Sequence, residues 1–224
     1  MKKKMLIAGI SGLLFSSALM ISVPQAVQAE TSAATVTFTG DDSTPTDPVD
    51  PDDPDVDPTD PIDPGDPDNP GTNTPGPLSL DYVSNFDFGT HKIAATTKTY
   101  QPLAEKPHIQ VTDKRGTGAG WDVQAKISKI SSSDNHELSG ATLKLVNANV
   151  KTHSANNSTP PSAADITLKD DDQSIFQAGS DQGLGTWVDN FDRDKSVLTV
   201  YAGTARAKTY TADITWTLTS GPVS

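Results

Sequence analysis

The chain has 224 residues, 29 Asp and Glu against 17 Lys and Arg for a net charge of −12, 17 prolines and no cysteine. The absence of cysteine excludes a disulfide framework, a thiolate metal site, an iron–sulfur cluster and a cysteine nucleophile. The acidic balance argues against nucleic acid as a partner, because duplex affinity comes from Lys and Arg neutralising phosphates, and lowers the case for a membrane-surface binder in the same way.

Residues 1–29 read as a cleaved signal peptide. Lys2, Lys3 and Lys4 form a positive end, Met5 to Val23 is an apolar run, and Val27-Gln28-Ala29 is a small-residue cleavage site, the three parts of a secretory leader. Pro24 and the site after it favour cleavage over a retained membrane helix. No later apolar run of that length follows, so no membrane span is expected in the mature chain. Thr219 to Ser224 carries neither a Leu-Pro-x-Thr-Gly sorting motif nor a basic tail, which argues against covalent wall sorting.

Residues 30–77 are expected to form a disordered, acidic Asp-Pro-rich linker. Between Asp41 and Gly76 lie twelve aspartates and ten prolines, with no Lys or Arg and almost no apolar side chain. Such a segment buries too little to offset its ordering entropy. Proline biases its neighbours to extended geometry and like charges repel, so a stiff polyproline-II-like stalk rising about 3.1 Å per residue is expected. Calcium needs six to eight converging oxygens, whereas alternating prolines splay these carboxylates along a rod. From Leu78 onward 16 acidic residues face 14 basic ones, so the net charge belongs to the stalk and the remaining domain is nearly neutral.

Residues 78–224 read as one all-β domain, an antiparallel β-sandwich, Ig-like or related. Tyr210, Ala212, Ile214, Trp216 and Leu218 alternate with Thr211, Asp213, Thr215 and Thr217, and Trp121, Val123, Ala125 and Ile127 alternate with Asp122, Gln124, Lys126 and Ser128. A period of two marks half-buried strands. Shorter stretches around Ile109–Val111, Ala141–Leu145, Ile166–Leu168 and Val197–Tyr201 follow suit, with Gly-, Asn-, Asp- and Ser-rich turns between them. His108 falls on the polar phase of its stretch and is expected to face solvent.

The run Tyr210-Thr-Ala-Asp-Ile214-Thr215-Trp216-Thr217-Leu218-Thr-Ser-Gly-Pro222 resembles the distal motif of the WxL domain of Gram-positive surface proteins. Trp121-Asp122-Val123 stands where that family has its proximal Trp-x-Leu, with Val in place of Leu, which keeps an apolar side chain at i+2. The layout of leader, acidic proline-rich stretch and terminal domain resembles the small members of the family. The resemblance implies a secreted, non-enzymatic protein of the cell surface whose domain attaches non-covalently to peptidoglycan or another cell-wall glycan. It also implies an alternative, a subunit of a surface complex or an adhesin that binds a partner protein or a host matrix component.

Residues i and i+2 of a strand share a face, so Trp121 with Val123 and Trp216 with Leu218 are expected to fill the core rather than touch the wall. Contact would then fall to other groups: Trp187, just after Gly183 and Gly185, and Arg115 and Arg206 as partners for carboxylates or phosphates. No cofactor or metal is expected. His91, His108, His136 and His153 lack metal-ligand spacing, and Asp189, Asp192 and Asp194 lack the Gly and Glu of a calcium loop. No nucleophile elbow, phosphate loop or His-Glu-x-x-His motif occurs, so no catalytic residue is assigned.

Overall fold

The computed structural model describes residues 30–40 and 43–221; the expected signal peptide and Pro222 lie outside them. The chain divides into two units, Met1–Thr37 and Phe38–Ser224. The described part of the first, residues 30–37, is exposed and has no regular secondary structure.

The strands of the second unit are β1 (Leu78–Val83), β2 (Lys98–Tyr100), β3 (His108–Asp113), β4 (Trp121–Ile127), β5 (Thr142–Leu145), β6 (Asn147–Lys151), β7 (Ser162–Ala163), β8 (Ile166–Thr167), β9 (Gln173–Ala178), β10 (Gly185–Phe191), β11 (Val197–Val200) and β12 (Ile214–Ser220); the alternating stretches correspond to β3, β4, β5, β8, β11 and β12, the last beginning at Ile214 rather than Tyr210. Every strand pair is antiparallel. They form three four-stranded sheets, β1-β3-β10-β6, β2-β11-β5-β8 and β12-β4-β9-β7. Ile109, Val111 and Phe191 from the first sheet, Leu143, Leu145 and Ile166 from the second, and Trp121, Val123 and Phe176 from the third belong to one core. The arrangement is all-β and sandwich-like, as the periodicity predicts.

The Asp-Pro stretch departs from the expected free stalk. Every residue of β3 is buried: Ile109 and Val111 face the core, and residues 43–77 lie against the opposite face. Gln110 accepts a bond from Val49 N (2.8 Å) and donates to the Asp47 carbonyl (3.1 Å). Asn190 donates to the Pro51 carbonyl (2.7 Å), and Thr72 N to the Asp81 carbonyl (2.8 Å). Asp63, 0% exposed, accepts from the backbone N–H groups of Gly65 (2.8 Å), Glu105 (2.8 Å) and Lys106 (2.9 Å). Asp50 accepts from Asp52 N and Asp53 N and pairs with Lys106 at 3.4 Å; burial opposes its ionisation, yet these donors hold its carboxyl below the usual range.

Two physical features seat this stretch. Asp readily bonds backbone N–H groups two or three residues on, which fixes irregular turns, and proline has no N–H, so each one removes a donor that burial would otherwise orphan. Gly65 completes the fit, since a Cβ there would lie 2.0 Å from the Leu103 carbonyl oxygen.

His108, expected at the surface, is 0% exposed beneath this cover. Its ring stacks on Tyr82 with centroids 4.2 Å apart, and its Nδ1 lies 2.7 Å from the Lys106 carbonyl. Burial pulls its pKa down to about 4. The unfolded chain therefore takes up the proton first, and the stability present above pH 6.5 is lost as pH falls towards 4.

Candidate functional site

The two Trp motifs lie on neighbouring strands. In the β4–β12 ladder Leu218 faces Val123, Trp216 faces Ala125 and Ser220 faces Trp121. The alternation that puts Trp121 and Val123 on the core face of β4 puts Ile214, Trp216 and Leu218 on the same face of β12, at the rim of the core.

Trp121 is fully buried, its indole N–H donating to the Gly183 carbonyl (3.0 Å) and its ring meeting Phe176 edge-on at 4.9 Å. Val123 is also fully buried, so Val in place of Leu keeps its core role. Asp122, between them, points to the other face, buried, with Oδ1 accepting from Ser174. Trp216 and Leu218 are half-buried, Trp216 stacking towards Phe191 at 6.5 Å. Thr215 is exposed and Thr217 half-buried.

The three expected contact residues separate. Trp187 is core, 3% exposed, with its indole N–H donating to the Leu184 carbonyl (2.9 Å), so it offers no face to a ligand. Arg115 is a clamp: it bonds both carboxylate oxygens of Asp113 (3.0 and 2.7 Å), the Gly120 carbonyl (2.6 Å) and Ser220 Oγ. Its donors are directed inward at the junction of β3, the Gly-rich turn and the end of β12. Arg206 is exposed, and its backbone N–H donates to Tyr210 Oη (3.0 Å), which also lies 2.9 Å from His136 Nδ1.

Lys208, whose N–H donates to the Arg206 carbonyl (2.8 Å), lines an open hollow of about 490 Å³ together with Ser131, Ser132, Ser133, Asp134, Thr209 and Thr211. The bridges Ser131–Glu137 and Ser131–Thr211 hold its floor. Lys208 pairs with Asp134 and keeps that carboxyl well below the usual carboxylate range. Hydroxyls and a paired ammonium and carboxylate suit a polyhydroxylated or anionic ligand. A second opening, a groove of about 480 Å³, runs between β1 and β12 with walls from Leu78, Leu80, Trp216 and Leu218 and a lip of Thr72 and Thr74. Sequence reading missed the polar hollow: its candidate Arg206 is not among the lining residues, Ser131–Ser133 read as an ordinary turn, and nothing local joins them to Lys208.

The WxL domain model, described as "WxL domain surface cell wall-binding", matches residues 25–222. The chain belongs to the WxL family. That match places it at the cell surface in association with the wall, and it takes in the Asp-Pro stretch together with the strands. No curated protein and no solved structure matches the chain. Among the described residues of this WxL protein no helix is long and apolar enough to cross a membrane, and no group of three or more His, Asp or Glu is placed to hold a metal ion.

Asp189 and Asp192 have different tasks. Asp192 accepts from Asp194 N (3.1 Å) and Lys195 N (3.3 Å) to form a turn. Asp189 lies in the β10 ladder opposite Ile109 and Val150, 0% exposed, with one oxygen taken by Asn147. Burial, against the Asn147 bond, pushes its pKa up to about 8. The folded state holds a proton that the unfolded chain releases near pH 4, so this contribution is present below pH 4 and lost as pH rises through 8. Asp189→Asn keeps the shape without the ionisation. It is expected to gain on the order of 3–5 kcal/mol over the parent at pH 9 and almost nothing at pH 4, measured by urea unfolding across pH.

Proposed function

We propose that this is a small WxL-type protein of the Gram-positive surface that is exported, attaches non-covalently to peptidoglycan and catalyses no reaction. The family match over residues 25–222 carries this reading. The polar hollow supports it further: Lys208 and Asp134 beside three serines and two threonines offer hydrogen bonds to glycan hydroxyls and charge to stem-peptide carboxylates or wall phosphates. The motif tryptophans serve by building the scaffold.

The test is sedimentation of the purified exported protein with protein-free cell walls. The parent co-sediments without any partner, and Arg206→Gln combined with Lys208→Gln retains its melting temperature but binds about tenfold more weakly, a loss of about 1.4 kcal/mol. A parent that stays in the supernatant overturns direct attachment and favours the second reading, in which a surface protein holds it.

A further inference from the structure

The edges of the three sheets are unequally protected. The outer side of β1 is covered where Thr72 N bonds the Asp81 carbonyl (2.8 Å) and Thr72 Oγ1 the Leu80 carbonyl (2.5 Å). Strand β6 ends in Lys151, which bonds the Asp52 carbonyl. Strands β7 and β8 have two residues each, and β2 has three, beginning with Lys98. Strand β12 has seven, Ile-Thr-Trp-Thr-Leu-Thr-Ser, with no charge, no proline and no bulge. Short length, lysine, proline and bulges are the devices that blunt a sheet edge, and β12 has none of them.

The ladder fixes which groups this edge presents. Ser128 N bonds the Asp213 carbonyl (2.9 Å) at one end and Gly221 N the Gly120 carbonyl (2.9 Å) at the other, in unbroken register. Antiparallel alternation then assigns Thr215, Thr217 and Thr219 to β4. The N–H and C=O groups of Trp216 and Leu218 turn outward, over the groove that their own side chains line.

The chain carries a strand of matching pattern. Thr35-Val36-Thr37-Phe38-Thr39 repeats the Thr-apolar alternation of Thr215-Trp216-Thr217-Leu218-Thr219. It is uncharged, and Val36 and Phe38 are 72% and 87% exposed. We propose that β12 receives residues 35–39 of a second copy of the chain as an added antiparallel strand. Thr37 then lies opposite Thr217, Phe38 opposite Trp216 and Val36 opposite Leu218. Threonines pair on one face, while Val36 and Phe38 enter the groove against Leu78 and Leu80. Each copy has one donor and one acceptor, so exchange closes as a two-fold dimer or continues as a chain.

The absence of native cysteine makes the test direct. Thr217 forms the closer, non-hydrogen-bonded type of pair with the incoming strand, whose Cα separation of about 4.5 Å admits a disulfide. A tagged Thr37→Cys chain is mixed with an untagged Thr217→Cys chain, both as purified exported protein, and oxidised. The expected product is a mixed disulfide-linked pair, reversed by reductant, while the parent shows a mass above one chain in sedimentation. Adding Val36→Asp and Phe38→Asp to the donor lowers the yield about tenfold or more at unchanged melting temperature, because the groove would have to bury unpaired charge. Linkage within one double-cysteine chain but none in the mixture overturns the proposal in favour of the chain's own segment. Absence of any linkage, with a parent of single-chain mass, overturns it in favour of a different occupant. Wall sedimentation is read separately, so this result and direct wall attachment stand or fall independently.

Discussion

Replacing Trp121 by Ala is expected to lower the unfolding free energy by about 3–5 kcal/mol, the usual cost of deleting a buried Trp ring. The ring is fully buried, meets Phe176 edge-on, and holds its N–H on the Gly183 carbonyl. Its removal opens a cavity and orphans that acceptor together. Domains of this size are commonly stable by about 5–15 kcal/mol, so the variant sits near its unfolding threshold at growth temperature and loses wall binding with its structure. Trp216→Ala, at a half-buried site, is expected to cost about 1–2 kcal/mol. Urea midpoints measure both. A Trp121→Ala protein that keeps its melting temperature yet no longer sediments with walls would show that the indole contacts the wall, contrary to its burial.

Asp63→Ala is expected to destabilise by about 2–3 kcal/mol, since removing this buried carboxylate leaves three part-buried backbone N–H groups without their acceptor. Two of the donors, Glu105 N and Lys106 N, belong to the loop leading into β3. The loss therefore falls on the domain as well as on the Asp-Pro stretch. Urea unfolding reads the first effect; limited proteolysis between Asp52 and Asp60 reads the second, with faster cutting in the variant. A free stalk would give no change in either.

Strands β3, β4, β5, β8, β11 and β12 were legible because their signal is local, whereas β1, β2, β6, β7, β9 and β10 are held by pairing that no local alternation announced. Alternation in residues 121–127 and 214–218 set which side chains face the core, and β4 and β12 follow it. The three contact candidates show where local reading ends. Trp187 follows Gly183 and Gly185 in sequence but lies inside the core in space, and Arg115 spends its donors on Asp113, Gly120 and Ser220, residues brought together only by the fold. The Asp-Pro stretch misleads for the same reason. Its composition speaks of repulsion and hydration, whereas its seat depends on Gln110, Asn190 and Lys106, which no spacing rule connects to it. His108 follows from that, since an outward-facing residue is exposed only if nothing covers the sheet. The Thr35–Thr39 alternation is as regular as that of β12, and the pairing proposed for it suggests itself only once β12 is seen, among the described residues, to end its sheet.

The seating of residues 43–77 on one face of the first sheet changes how the charge of the protein acts at a distance. On a stalk, the carboxylates would trail tens of ångströms from the domain, far beyond the roughly 8 Å over which charge is felt at physiological salt. Spread over one flank, with Asp47, Asp52, Asp53, Asp55, Asp57, Asp60 and Asp68 exposed, they make the molecule a lopsided particle. Near a polyanionic surface such a particle feels a torque as well as a force. It turns its acidic flank outward and rolls its nearly neutral sides inward, so the approach is aimed before any specific bond forms.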